Sequence, residues 1–177
     1  MSVEVRTADG IAEVVIDFPQ VNALPVQGWY DLASAVTAAG AEASTRAVIL
    51  AAAGRGFCAG VDIKEMQRIS GHEALLGANR GCAAAFGAVY DCPVPVIAAV
   101  HGFSLGGGVG LAGNADVVIA AEDATFGLPE VDRGALGAAT HLARLVPQPL
   151  MRAMVYTCRT VGARQLHLDM VRPLDAG

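Results

Sequence analysis

The sequence predicts an α/β fold, and three observations predict it. Short, almost continuous apolar runs, Arg46–Ala52, Val94–Val100 and Asp116–Ala121, read as strands buried on both faces. Between them stand longer segments with apolar residues at helical spacing: Trp29, Leu32 and Val36 on one side of a helix over Val26–Ala39, and Leu75, Cys82, Phe86 and Val89 along one over Gly71–Tyr90. Finally, Gly106, Gly107 and Gly108 stand where a strand would turn into a helix. Strands alternating with helices place the chain in the α/β class.

Each element has a local reason. Val3–Val5 and Ile11–Ile16 form a hairpin across the turn residues Thr7–Gly10. Phe18–Pro25, with two prolines, is an irregular connection, and Gly40 ends the first helix. Gly54–Lys64 (G-R-G-F-C-A-G-V-D-I-K) is a glycine-punctuated loop in which Asp62 can start a short helical turn ending near Arg68. Pro93 and Pro95 stop the second long helix. Ala124–Phe126 is a short strand, Gly134–Val146 a helix, and Pro149–Cys158 a last helix; the remainder has no clear period.

Composition bounds the class. The chain has 177 residues, 54% of them hydrophobic and 16% charged, which suits one domain with a real core and excludes disorder. No apolar run is long enough for a membrane span, and M-S-V-E-V-R-T lacks the apolar stretch of a signal peptide, so the cytoplasm is the expected location and no membrane partner is expected. A net charge of −5 argues against nucleic acid while leaving room for a phosphorylated ligand on one or two local bases. Cys58, Cys82, Cys92 and Cys158 form no C-x-x-C pair and do not cluster with the histidines; they are read as small core residues, with neither metal nor disulfide expected.

The stretch His101–Asp116 (H-G-F-S-L-G-G-G-V-G-L-A-G-N-A-D) organises the rest. A helix starting at the glycine triplet would present unpartnered N–H groups, suited to a carbonyl oxygen that becomes negative in a reaction. A tightly packed glycine turn in the core is the other reading, and on this stretch alone both stand.

Four segments together carry a resemblance: F-C-A-G-V-D-I-K at Phe57–Lys64, A-A-V-H-G-F-S-L-G-G-G at Ala98–Gly108, A-D-V-V-I-A at Ala115–Ala120 and A-T-F-G-L-P-E-V at Ala124–Val131. In this order and spacing the chain resembles the crotonase superfamily of enoyl-CoA hydratases and isomerases, from about Val3 to Tyr156. The resemblance implies a crotonase-like spiral of ββα units, with two roughly perpendicular sheets surrounded by helices. It implies acyl-CoA substrates, no cofactor beyond the coenzyme A of the substrate, and a homotrimer or hexamer. By similarity, the backbone amides of Val61 and Gly107 hold the thioester oxygen. Ala23, Ala59, Asp62, Ile63, Lys64, Gly106 and Gly110 match positions that line the site of the CoA thioester. Arg55 or Lys64 meets a CoA phosphate, or each is a solvated surface charge. Family chains continue with a helical segment that closes the acyl pocket and builds trimer contacts. Residues 1–156 are therefore taken as the core domain and 157–177 as a divergent tail, which puts the oligomer in doubt.

Two glutamates serve the family's hydratases. One position here is Glu130; the other is Gly110, which cannot move a proton. The acid that some relatives carry eight residues after Glu130 is absent, since that residue is Ala138. Asp132 and Arg133 either share the pocket or form a surface pair, His141 is read as a structural histidine, and Ser104 does not match a nucleophile elbow. Val131–His141 is similar to actinobacterial members acting on steroid-ring fragments. The resemblance thus implies an enzyme with one glutamate, an isomerase or a hydrolase of cyclic keto-acyl-CoA rather than a two-glutamate hydratase; the alternative is a catalytically inactive CoA-binding module. The geometry expected is convergence of the Val61 and Gly107 amides, with Glu130 facing them across an open space above Gly110 and its pKa raised by burial.

Overall fold

The computed structural model describes residues 2–69, 72–133, 135 and 137–166. The chain opens with β1 (Ser2–Ala8) and β2 (Ile11–Asp17), an antiparallel hairpin. Its two-residue turn, Asp9–Gly10, has positive φ at both residues, 51° and 79°, the geometry that matches the twist of the flanking strands. Next come β3 (Ala23–Leu24), α1 (Val26–Ala41), β4 (Ala47–Ala52), β5 (Gly60–Val61), α2 (Ile63–Arg68) and α3 (Glu73–Tyr90). They are followed by β6 (Val96–Val100), β7 (Phe103–Leu105), α4 (Gly107–Ala112), β8 (Val117–Ala120) and β9 (Thr125–Gly127). The described chain closes with α5 (Ala139–Leu142), α6 (Gln148–Thr157) and β10 (Val161–Gly162).

The main sheet has the order β1-β2-β4-β6-β8, parallel from β2 onward. Val14, Ile16, Val48, Leu50, Val96, Ala98 and Val100 are buried along it, joined by Trp29, Leu32 and Val36 of α1. A sheet covered by helices leaves such strands no wet face, so their sequences are apolar without alternation. A second sheet, β10-β9-β7, and the pair β3-β5 stand apart from it. Adjacent strands β4, β6 and β8 all point the same way, so the loops that leave their C-terminal ends gather on one side.

The structure departs from the sequence reading at several places. Gly40 does not end α1, which runs to Ala41. The buried side of α3 is Ala74, Ala78, Gly81, Ala85 and Val89, while Leu75 is 57% exposed; small residues let α3 pack closely on α1. The helix expected over Gly134–Val146 is α-helical only at Ala139–Leu142, behind a 3₁₀ turn at Val131–Arg133; Gly134 and Leu136 lie outside the described residues. The boundary drawn at residue 157 does not divide the packing. Val161 and Gly162 pair with Phe126 and Thr125, and Val161, Ala163 and Leu166 are buried, so this part of the tail is core. Residues 167–177 lie outside the described residues. Among the described residues, no helix is long and apolar enough to cross a membrane.

Candidate active site

Three segments meet beyond the parallel strands. The loop after β4 runs alongside β7. Phe57 N–H donates to Phe103 O (2.9 Å), Leu105 N–H donates to Cys58 O (2.8 Å), and Cys58 bridges Ser104. His101 Nε2 lies 2.9 Å from Gly54 O and so carries the proton there, a further tie between the two loops. The third segment follows β9, where Gly106 N–H donates to Gly127 O at 3.0 Å. Backbone bonds of this kind hold the two glycine loops and the Glu130 loop in one fixed arrangement.

Asn22, which the sequence reading passed over, braces the entrance. It is buried, at φ 52°, in the left-handed region that asparagine tolerates better than most residues. Its Oδ1 accepts from Phe18 N–H (2.7 Å), and its Nδ2 donates to Ala53 O (2.7 Å) and Gly56 O (2.8 Å). One side chain thus joins the segment before β3 to the loop before β5. The only available signal was an asparagine between apolar neighbours in P-Q-V-N-A-L-P.

Ala23 pairs with Gly60, and Leu24 with Val61. Asp62 N–H donates to Leu24 O, so Leu24 is bonded to the residues flanking Val61 and the Val61 N–H points away from β3. Gly60 itself approaches the start of α4: a Cβ built on it would stand 3.1 Å from Gly107 N. Ala59 is half-buried, with its N–H shared between Val21 O and Asn22 O. Asp62 caps α2, accepting from Lys64 N–H (2.9 Å) and Glu65 N–H (3.3 Å). Glu65 does not return the bond, because the Asp62 amide is already engaged; instead its Oε2 accepts from Val26 N–H at 2.7 Å, at the first turn of α1. Ile63 is 49% exposed, and Lys64 and Arg55 are exposed.

Glu130 arrives over the glycine turn. Gly106 has φ 53° and ψ −115°, a conformation that favours glycine, and a Cβ there would stand 2.7 Å from Glu130 Oε1. Glu130 Oε2 is buried without a hydrogen-bond partner among the described residues. Burial raises the carboxyl pKa above the ordinary 4.5, because desolvation disfavours the charged form. Glu130 borders a cleft of about 350 Å³ that is also walled by Leu128, Val131, Ala138, Ala139 and Val155. Asp132 and Arg133 are exposed beside it. A larger hollow of about 500 Å³, around Tyr90, Asn114, Asp116 and Arg144, is lined by neither Glu130 nor the glycine triplet.

The open space expected above Gly110 is not there. The Phe86 ring of α3 fills it: a Cβ on Gly110 would fall inside contact distance of Phe86 Cζ and 2.6 Å from Cε1. Phe86 packs edge-on against Trp29 (5.8 Å between centroids) and against His141 (4.8 Å). Trp29, fully buried, in turn lies against Gly107. His141 has a structural place. Arg144 donates to Asn114 Oδ1 (2.8 Å), which turns Asn114 Nδ2 toward Gly110 O (2.6 Å) and His141 Nδ1 (2.8 Å). Nδ1 therefore accepts, and burial, aided by the Arg144 charge, lowers the His141 pKa. Ser104 is fully buried, its hydroxyl without a partner among the described residues.

Comparison with known proteins follows these residues. The sequence model described as "Enoyl-CoA hydratase/isomerase" matches residues 6–168. Over 157 residues the chain is 69% identical to a Mycobacterium tuberculosis protein named (7aS)-7a-methyl-1,5-dioxo-2,3,5,6,7,7a-hexahydro-1H-indene-carboxyl-CoA hydrolase, covering 89% of this chain and 64% of that protein. A Rhodococcus jostii protein of the same name is 66% identical over 158 residues, covering 89% of this chain and 61% of its own. The chain thus spans less than two thirds of the length of these curated relatives. The crystal structure of an enoyl-CoA hydratase from Bacillus anthracis superposes with a TM-score of 0.90 at 31% identity, covering 98% of this chain and 71% of that one. A match of this extent, over a fold and loops arranged in this way, means that the chain belongs to the enoyl-CoA hydratase/isomerase family.

Proposed function

We propose that this chain carries the catalytic core of a hydrolase acting on a cyclic β-keto acyl-CoA, of the class named for its Mycobacterium tuberculosis and Rhodococcus jostii relatives. The observation that carries the reading is the single carboxylate, Glu130, held half-buried over the Gly106–Gly107 turn while Phe86 fills the space at Gly110. One carboxylate can move one proton at a time, which suits activation of water followed by return of the same proton.

The Val61 and Gly107 amides hold the thioester oxygen. Ala23, Ala59, Asp62, Ile63, Lys64 and Gly106 border the CoA portion, with Arg55 or Lys64 meeting a phosphate. Glu130 takes a proton from water as the oxygen adds to the ring ketone. The ring C–C bond then breaks, its electron pair passing to the carbon next to the thioester, and the new negative charge rests on the thioester oxygen between the two amides. Glu130 returns its proton to that carbon, leaving a ring-opened carboxylic acid that is still a CoA thioester. No second acid is required.

The test is turnover of a cyclic β-keto acyl-CoA beside 3-enoyl- and 2-enoyl-CoA, with CoA binding followed by calorimetry. Ring opening lost in Glu130→Gln, with CoA affinity retained, supports the reading. Fast hydration of 2-enoyl-CoA that survives Glu130→Gln overturns it, and CoA binding without turnover of any substrate replaces it with a binding module.

A further inference from the structure

Residue 110 lies one helical turn into α4, its N–H donating to Gly106 O at 3.2 Å. In a helix the Cα–Cβ bond leans toward the N-terminus, so a side chain at 110 would extend back over the Gly106–Gly107 turn, where Glu130 also sits. That volume belongs to Phe86. Its ring is clamped edge-on between Trp29 and His141, at interplanar angles of 83° and 62°. His141 is held in turn by Asn114, and Asn114 by Arg144. Cys82, one turn before Phe86, has its thiol pushed up to about 12 by burial, then by Cys58, and then by the charge of Glu130.

We propose that Phe86 is a specificity-determining residue: its ring occupies the volume that a second acid on α4 would need, and so confines the site to the chemistry of Glu130 alone. The inference rests on the single-glutamate reading above and goes beyond it, because it assigns the restriction to a residue on another helix. Gly110 by itself leaves a position open to any side chain; Phe86 closes it. Positions 86 and 110 are then coupled, and a carboxylate at 110 is useful only when the ring has been removed.

A thermal cycle reads the occlusion without reference to activity. Gly110→Ala should lower Tm by roughly 3–10 °C, as overpacking does. Adding Gly110→Ala to Phe86→Ala should lower it little further. Additive losses, or a Gly110→Ala protein as stable as the parent, overturn the proposal. Activity supplies the second arm. Phe86→Ala alone should not raise 2-enoyl-CoA hydration, whereas Phe86→Ala with Gly110→Glu should raise it by about tenfold or more. Equal hydration by the single and double variants overturns the proposal, as does a double variant that gains none while the parent still opens cyclic keto-acyl-CoA. If the parent turns over no acyl-CoA, the reading of the reaction falls instead, and the thermal cycle alone decides whether Phe86 occludes position 110.

Discussion

Glu130 Oε1 and Gly106 share one small volume: the carboxylate oxygen lies 2.7 Å from the point where Gly106 would carry a Cβ. The acid and the turn beside the Gly107 amide are therefore one packing unit. Gly106→Ala meets two obstacles, the left-handed φ of 53° and the carboxylate itself. The flexible end of Glu130 can swing aside, but the backbone cannot follow. A loss of about 1–3 kcal/mol is expected in urea unfolding, together with a fall in kcat that rebuilding stability elsewhere does not restore. Unchanged turnover in a folded Gly106→Ala protein would separate the turn from the chemistry.

The raised pKa of Glu130 has opposite consequences for stability and for rate. Below about pH 4.5 the group is protonated in both folded and unfolded chains and has no effect on their balance. As pH rises toward the folded pKa, the unfolded chain ionises first and the folded state loses stability relative to it. Glu130→Gln should therefore have a higher Tm than the parent at pH 8, and the gap should close on acidification below 4.5. In the proposed reaction the carboxylate takes the proton from water, so the acid limb should fall above pH 4.5, and Glu130→Gln should lower kcat by about 10²–10⁴-fold. Paired thermal scans and pH–rate profiles measure both.

Asn22 holds two loops with three buried hydrogen bonds. Asn22→Ala leaves the Phe18 amide and two carbonyls without their partner and keeps a left-handed φ that alanine disfavours. A loss of about 2–4 kcal/mol is expected by chemical denaturation, along with weaker CoA binding as the Ala59–Val61 segment loosens. Asn22→Asp should recover part of it, since Oδ1 can still accept from Phe18.

Asp62 acts through the backbone of α2. Asp62→Ala removes the cap on Lys64 and Glu65 and should lower stability by about 1 kcal/mol. Asp62→Asn and Asp62→Ser retain an acceptor and should recover most of it. If CoA affinity measured by calorimetry follows the same order, α2 rather than the Asp62 charge orders that side of the site.

The sequence alone determined the class of the fold and the order of its main-sheet strands and long helices, because burial on both faces writes continuous apolar runs for strands and helical spacing for helices. It also marked the Asp9–Gly10 turn, the Asp62 helix start and the glycine triplet, since turn conformation and capping demand particular residue types at one place; Glu130 was marked by the resemblance of its motif. Tertiary structure decided what depends on residues distant in sequence. Asn22 reaches Ala53 and Gly56; Glu65 caps a helix that begins at Val26; Val161 adds an edge to β9. Leu75 has the right spacing for a buried stripe, but the small residues of α3 pack closer to α1 and turn it outward. Gly110 announces only a missing side chain. That the missing volume is filled, and filled by Phe86, follows from the approach of α3 to α4, which no local period encodes.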